Sequence, residues 1–294
     1  MALRVLTRAE PAGPDELRGD LADPASLAAA CAGVDTVFHC AGHAHAFGAL
    51  GEADAVRHRQ VNFEGTRLLA EAAGRAGVRR FVFLSSVKAM GEPGDQCVDE
   101  DWPAPPASAY GQAKRAAEAA VLAAGVRFGM HVVNLRPAMV YGAGGAGNLE
   151  RMAALVRRGL FPPLPETANR RSLVHVADVV AAMRLAAADA RAAGRSYIVA
   201  HPRTHSGRGL YDALRAACGL PLRRWAVPRG VLGASARVGD GIEALAGRRV
   251  PLDSEALDRL LGSACYSPAR IAGELGWRAR IDLADGLREM LGAA

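Results

Sequence analysis

The fold of this chain is decided by FVFLSS at residues 81–86 and by YGQAK at residues 110–114. The first run is short and apolar, as expected of a buried parallel strand, and it ends on two serines. Side chains at the carboxyl end of such a strand face the ligand crevice of an open α/β sheet. Ser108 is a suitable N-cap for an alanine-rich helix through Ala124, and Gly125 is a suitable stop. The stretch therefore predicts a strand, a serine-bearing loop and a helix.

Tyr110 and Lys114 are four residues apart, so on a helix their side chains share one face about 5–6 Å apart. A phenol titrates near pH ~10, and a neighbouring ammonium stabilises its phenolate and lowers that pKa. A hydroxyl from Ser86 can orient a substrate carbonyl between them. Only two of the 36 basic residues are lysines, Lys88 and Lys114, which favours a site that needs a compact ammonium. We interpret Ser86, Tyr110 and Lys114 as a proton-transfer site beside a hydride carrier.

The composition excludes several classes of protein. A chain of 294 residues with 50% hydrophobic content can bury one large core or two unequal lobes. The net charge of +6 is spread without a basic run, so we expect no nucleic-acid binding. No stretch reaches ~18 apolar residues and no leader opens the chain, so we expect no membrane binding and a cytoplasmic protein.

The cysteines and histidines show no metal-binding spacing. The five cysteines form no CxxC pattern and suit a reducing compartment, where they fill small buried spaces. His43 and His45 follow a predicted strand without a third ligand at metal spacing. We therefore predict no metal ion.

These motifs resemble the extended short-chain dehydrogenase/reductases, and among them the nucleotide-sugar 4-epimerases, dehydratases and 4-ketoreductases. The resemblance rests on FVFLSSVKAMGE at residues 81–92, on the Tyr110-x-x-x-Lys114 pair and on NRRSLVHVADV at residues 169–179. It implies hydride transfer between sugar C4 and a nicotinamide, with Tyr110 as the acid or base. Ser86 would orient the oxygen, and Lys114 would tune Tyr110 and hold the cofactor ribose.

The resemblance also implies an α/β fold with a Rossmann-type doubly wound parallel sheet. Residues 1–142 would form the cofactor-binding domain, and residues 143–294 a smaller mixed substrate lobe with some segments returning to the sheet. Similar proteins open with a strand, a Gly-x-x-Gly-x-x-Gly turn and a helix whose start binds the pyrophosphate. That unit is expected to be missing here, which would leave two strands without a shared neighbour. We expect a mis-started or truncated copy whose upstream DNA continues in frame. The alternative is a genuine fragment with a damaged cofactor site.

The predicted cofactor contacts follow from the same resemblance. Arg8 ends the first predicted strand, where a basic residue favours the 2′-phosphate of NADP over NAD. Asp20 and Leu21 resemble the adenine-binding turn, and small residues after the next strand permit close backbone approach. The predicted cofactor-binding residues are Arg8, Asp20, Leu21, Cys40, Ala41, Gly42, Asn62, Tyr110, Lys114 and Pro137.

The predicted substrate-binding residues are Ser86, Lys88, Asn148 and Arg171. Arg171 matches an arginine that neutralises the substrate diphosphate in similar proteins, a task suited to its forked geometry. Val87 and Lys88 stand where dehydratases carry Asp-Glu, so dehydration is disfavoured. Asp178 is expected to cap the helix that follows.

We therefore predict an NAD(P)-dependent nucleotide-sugar 4-epimerase or 4-ketoreductase, compatible with a homodimer. One alternative is a non-catalytic relative that binds a nucleotide or a partner, which the intact Ser86, Tyr110 and Lys114 disfavour. Another is a reductase of a non-sugar ketone, which Asn148 and Arg171 disfavour.

Overall fold

A computed structural model describes residues 2–43, 52–145, 147–246 and 253–292. The strands are β1 (Val5–Thr7), β2 (Glu16–Arg18), β3 (Thr36–His39), β4 (Arg80–Leu84), β5 (Cys97–Val98), β6 (His131–Pro137), β7 (Met139–Tyr141), β8 (Leu173–His175), β9 (Arg195–Val199) and β10 (Cys265–Tyr266). The helices are α1 (Pro24–Cys31), α2 (Glu52–His58), α3 (Gly65–Arg75), α4 (Ala109–Phe128), α5 (Asn148–Arg157), α6 (Val176–Ala188), α7 (Gly207–Ala217), α8 (Arg229–Ala246), α9 (Ser254–Leu261), α10 (Ala269–Leu275) and α11 (Leu283–Met290). A π-helical turn, Arg59–Glu64, joins α2 to α3.

A four-stranded parallel sheet in the order β3-β4-β6-β9 forms the centre of the molecule. Phe81 and Phe83 of β4 join the cluster formed with α1, α3 and α4, whereas Val82 joins the cluster formed with α6 and α10. All three side chains are fully buried, and each contributes about 1.5–3 kcal/mol by leaving water. Helices on both faces of a parallel sheet confirm the predicted Rossmann-type α/β fold. β9 follows residue 142 and still joins this sheet, and the domain boundary stays a prediction.

Strands β1 and β2 form a separate parallel pair. In the described ranges, no ladder joins this pair to the four-stranded sheet, which confirms the expectation of two strands without a shared neighbour. Val5 on β1 is 41% exposed and Phe38 on β3 is 40% exposed. Such exposure is unusual for apolar side chains of a parallel sheet, which is ordinarily covered on both faces.

Helix α4 begins where the sequence predicts and ends later. The Ser108 hydroxyl accepts a hydrogen bond from the Gly111 N–H at 3.1 Å and caps the helix. The predicted stop at Gly125 is wrong, because the helix continues to Phe128 and Gly129 ends it with a left-handed φ of +67°. A Cβ on Gly125 would lie 2.4 Å from Val132 Cγ2, so this glycine permits close contact between α4 and β6.

A second core lies among α5, α7, α9 and α11 and contains Leu164, Leu214 and Leu287. The short β5–β10 pair connects the segment after β4 to the segment after α9. Its register places Cys97 opposite Cys265 with their Cα atoms 4.5 Å apart, and the two form a disulfide. The expectation that all five cysteines are unpaired packing residues in a reducing compartment is therefore wrong for this pair.

The start of helix α6 also differs from the prediction. His175 caps it by accepting the Ala177 N–H on its Nδ1 at 3.3 Å. Asp178 instead accepts the N–H groups of Arg280 and Ile281 at 3.0 and 3.1 Å, which ties α6 to the segment before α11. Among the described helices, none combines the length and the apolar character needed to cross a membrane.

Candidate functional site

Ser86 and Tyr110 meet at the carboxyl end of β4. Ser86 follows the strand, and its hydroxyl accepts the N–H of Lys88 at 3.1 Å, which caps the short 3₁₀ turn Val87–Ala89. The same side chain interacts with the phenol of Tyr110 on the first turn of α4. Burial raises the pKa of Tyr110, and the interaction with Ser86 lowers it by less. The structure thus joins the two oxygens that the sequence predicts to act together.

Lys114 lies one helical turn after Tyr110 and is buried. Its Nζ donates a hydrogen bond to the Leu84 carbonyl at 2.9 Å and lies 4.7 Å from the centre of the Phe83 ring. Burial lowers the pKa of Lys114 to about 8, although Glu118 and Cys40 act in the opposite direction. The predicted lowering of the Tyr110 pKa by Lys114 is not found in this structure, because the ammonium is directed at β4.

A buried ion pair supports this helix from the next strand. Glu118 accepts two hydrogen bonds from Arg136 on β6, at 2.9 Å from Nε and 2.7 Å from a terminal nitrogen. Sequence reasoning missed both residues. The available signal was a carboxylate one turn beyond Lys114 and an arginine within the buried strand that ends at Pro137.

Small residues after β3 form a floor beside Lys114. A Cβ on Gly42 would lie 3.0 Å from Asn62 Oδ1 and 3.5 Å from Lys114 Nζ. Cys40 interacts electrostatically with the same ammonium. A side chain at position 42 would crowd the amine and Asn62, so the glycine keeps the backbone close to both.

The predicted adenosine contacts lie in the segments that follow β1 and β2. Arg8 and Asp20 are exposed, and the Asp20 carboxylate accepts the Ala22 N–H at 2.9 Å. Leu21 lies against α3, since a Cβ on Gly65 would be 2.8 Å from its Cβ. Within the described ranges, no hydrogen bond or ion pair connects Arg8 or Asp20 to Lys114.

Lys88 and Arg171, two of the predicted substrate residues, both interact with Glu92. The Arg171 guanidinium donates to the Gly262 carbonyl at 3.0 Å, and burial lowers its pKa while Tyr266 and Glu92 raise it. Glu92 also accepts a 2.6 Å hydrogen bond from Lys88. Glu92 therefore connects two of the predicted substrate residues, Lys88 and Arg171. Asn148 is exposed at the start of α5, outside this set of contacts.

Two histidines and an aspartate form a cluster next to Tyr110. The side chains of His43, Asp54 and His58 offer ligand atoms within 4.8 Å of one another, and the His58 ring is 5.4 Å from the Tyr110 ring. The spacing argument missed this cluster because Asp54 and His58 share a face of one helical segment, whereas His43 lies eleven residues before Asp54 in the sequence. His45 lies outside the described residues, and the absence of a metal stays a prediction.

A doubly wound sheet with a serine after a strand, and a tyrosine and a lysine one turn apart on the following helix, defines a short-chain dehydrogenase/reductase type of enzyme. The chain belongs to the NAD dependent epimerase/dehydratase family, whose model matches residues 2–200.

The relatives of the chain act on different classes of substrate. It is 30% identical over 259 residues to a UDP-glucose 4-epimerase of Vibrio cholerae, covering 86% of this chain and 74% of that protein. It is 30% identical over 223 residues to a 2-alkyl-3-oxoalkanoate reductase of Stenotrophomonas maltophilia, covering 71% of this chain and 64% of the reductase. The crystal structure of gox2253 has a TM-score of 0.76 at 25% identity and covers 99% of this chain and 89% of that one. The Thermus thermophilus UDP-glucose 4-epimerase complex with NAD has a TM-score of 0.71 at 24% identity, covering 97% and 86%.

Proposed function

We propose that the chain is an NAD(P)-dependent nucleotide-sugar 4-epimerase or 4-ketoreductase. The observation that carries the proposal is the interaction of Ser86 with the Tyr110 phenol, one helical turn before the buried Lys114. The similarity to the Vibrio cholerae epimerase supports the substrate class.

The residues around Gly42 fit the nicotinamide ribose of the cofactor, because a Cβ at this position would fill the space beside Lys114 and Asn62. Lys114 would hold the ribose hydroxyls. The exposed Arg8 favours NADP over NAD at the adenosine end. When bound, the nicotinamide supplies the site that accepts or donates a hydride at sugar C4.

Tyr110 would transfer the proton at the 4-oxygen while Ser86 orients that oxygen. The raised pKa of Tyr110 keeps the phenol protonated at neutral pH, so the site is prepared to donate a proton to a 4-ketone. The reverse direction requires a positive charge near the phenolate. The pKa of Lys114, about 8, keeps its amine charged below that pH.

Arg171 and Lys88 would bind the diphosphate, and Asn148 would contact it at the start of α5. A reductase of a non-sugar ketone is the second candidate. Two observations favour it: the similarity to the 2-alkyl-3-oxoalkanoate reductase, and the partial neutralisation of Lys88 and Arg171 by Glu92.

A substrate panel tests the proposal. UDP-, dTDP- and GDP-sugars and a medium-chain 3-oxoalkanoate would each be incubated with NAD or NADP and with their reduced forms, and the products identified. Tyr110→Phe should abolish turnover of the best substrate while binding persists, whereas Tyr211→Phe, in the core of the second lobe, serves as the control. Turnover by Tyr110→Phe within about tenfold of wild type, equal to 1.4 kcal/mol, would contradict the assigned role. Turnover of the oxoalkanoate alone would favour the second candidate.

A further inference from the structure

Asn62 has a fixed orientation that determines what faces His58. Its Oδ1 accepts the backbone N–H of His43 at 2.7 Å, and its Nδ2 donates to the His43 carbonyl at 2.8 Å. A flipped amide would place a donor against the N–H and an acceptor against the carbonyl, so both bonds would be lost. The main chain of His43 therefore identifies which end of the amide is the NH₂ group.

This orientation fixes the proton on the His58 ring. Asn62 Nδ2 lies 3.1 Å from His58 Nδ1, and an NH₂ group can only donate. Nδ1 must therefore be the acceptor, which leaves the ring proton on Nε2. That nitrogen lies 3.3 Å from Asp54 Oδ2, and His43 Nε2 lies 3.1 Å from the other oxygen of the same carboxylate.

The His58 ring also contacts the tyrosine of the site. Its centre lies 5.4 Å from that of Tyr110 with the ring planes at 66°, an edge-to-face arrangement. His58 is buried, and helix α2 and the π-helical turn after it hold Asp54, His58 and Asn62 on one helical segment. Because both of its ring nitrogens have polar partners, the His58 ring is held in a fixed position against the Tyr110 ring.

We propose that Asn62 and Asp54 lock His58 in its Nε2–H tautomer, and that the locked ring positions Tyr110 for proton transfer. The catalytic part of this inference rests on the proposed function; the tautomer does not. His58 acts through Tyr110 and is a positioning residue.

The same geometry opposes a metal ion in the cluster. A metal bound to His58 Nε2 needs a lone pair there, and the proton would then move to Nδ1. A ligating histidine ordinarily donates its other N–H to an acceptor. Here Nδ1 would meet the NH₂ group of Asn62, so metal binding would require Asn62 to give up its bonds to His43.

NMR of the [¹⁵N]histidine-labelled protein tests the tautomer without any assay of activity. Long-range ¹H–¹⁵N correlations should show that Nδ1 of His58 is unprotonated and Nε2 is protonated. The His58 signals are assigned as those that disappear in His58→Phe. Asn62→Asp replaces the donor by an acceptor of the same shape and should move the proton to Nδ1. A wild-type ring protonated on Nδ1 would overturn the proposal. So would Zn²⁺ shifting the His43 and His58 ring signals of wild type and raising its Tm, with both effects lost in His58→Phe.

Kinetics test the positioning role on the best substrate of the panel. His58→Phe keeps a ring against Tyr110 but loses hydrogen bonds, so kcat should fall roughly 3- to 10-fold with KM unchanged. His58→Leu, which also removes the ring, should lower kcat further. The control is His131→Phe on β6, which loses a hydrogen bond to the Ala186 carbonyl of α6 and should leave kcat unchanged. A lower Tm with wild-type kcat in both His58 variants would overturn the positioning role. If wild type turns over no substrate, the proposed function fails, and the NMR result still decides the tautomer.

Discussion

Removal of the Glu118 carboxylate tests how the buried ion pair supports the site. The side chains of Arg136 and Glu118 are only 10% and 5% exposed, and two hydrogen bonds of 2.9 and 2.7 Å join them. In Glu118→Ala the guanidinium stays buried without its counter-charge. Loss of one partner of a buried pair costs about 3–5 kcal/mol, which is a large part of a typical stability of about 5–15 kcal/mol.

Urea unfolding followed by circular dichroism measures this loss as a change in the free energy of unfolding. Glu71→Ala is the matched control, because its pairs with Arg67 and Arg75 are partly exposed and should contribute about 1 kcal/mol or less. The double variant Glu118→Leu with Arg136→Leu should recover most of the stability, since no buried charge is left unpaired. A loss below about 1 kcal/mol in Glu118→Ala, or a double variant as unstable as the single one, would refute the reasoning.

Three further changes have defined outcomes. Arg171→Ala should raise KM for a diphosphate sugar by roughly 10- to 150-fold with little change in kcat, because it removes a charge-assisted contact worth about 1.5–3 kcal/mol; an unchanged KM would contradict diphosphate binding. Burial lowers the pKa of Lys114 from 10.5 to about 8, so between these two pH values the unfolded chain binds more protons than the folded one. The free energy of unfolding of wild type should therefore rise by about 3 kcal/mol relative to that of Lys114→Met as the pH increases through this range. If the difference in the free energy of unfolding between wild type and Lys114→Met, measured by urea titration, does not change with pH, the pKa of Lys114 is not lowered in the folded protein. Cys97→Ser should lower the free energy of unfolding by about 2–4 kcal/mol by opening the link to Cys265, whereas Cys218→Ser, at an unpaired cysteine, should have a small effect.

The local parts of the fold and site were predictable from the sequence, and the long-range parts were not. The strand before Ser86 and the cap of α4 follow from apolar runs and from a serine at a helix start, which are patterns within a few residues. The Cys97–Cys265 disulfide spans 168 positions and depends on the β5–β10 register, which no spacing rule contains. Gly125 was misread as a stop because a glycine needed for contact with a strand looks the same in sequence as one needed for a left-handed turn.

Burial shifts the pKa of Lys114 and that of Tyr110 away from the values that proton transfer needs, and the charges around Lys114 do not offset it. The carboxylate of Glu118 is occupied by two hydrogen bonds from Arg136, so its attraction for Lys114 does not offset burial. Burial therefore outweighs the attraction of Glu118 and Cys40 at the amine, and among the described residues no cation is found to lower the pKa of Tyr110. If the ammonium leaves the Leu84 carbonyl for a ribose next to Tyr110, each group gains a charged or polar neighbour, and the pKa of Lys114 should rise while that of Tyr110 falls. The chain has only two lysines, so [¹³Cε]lysine NMR resolves the titration of Lys114 directly. A Lys114 pKa that does not rise when NAD or NADP binds would show that the amine keeps its place on β4 and that Tyr110 depends on another charge.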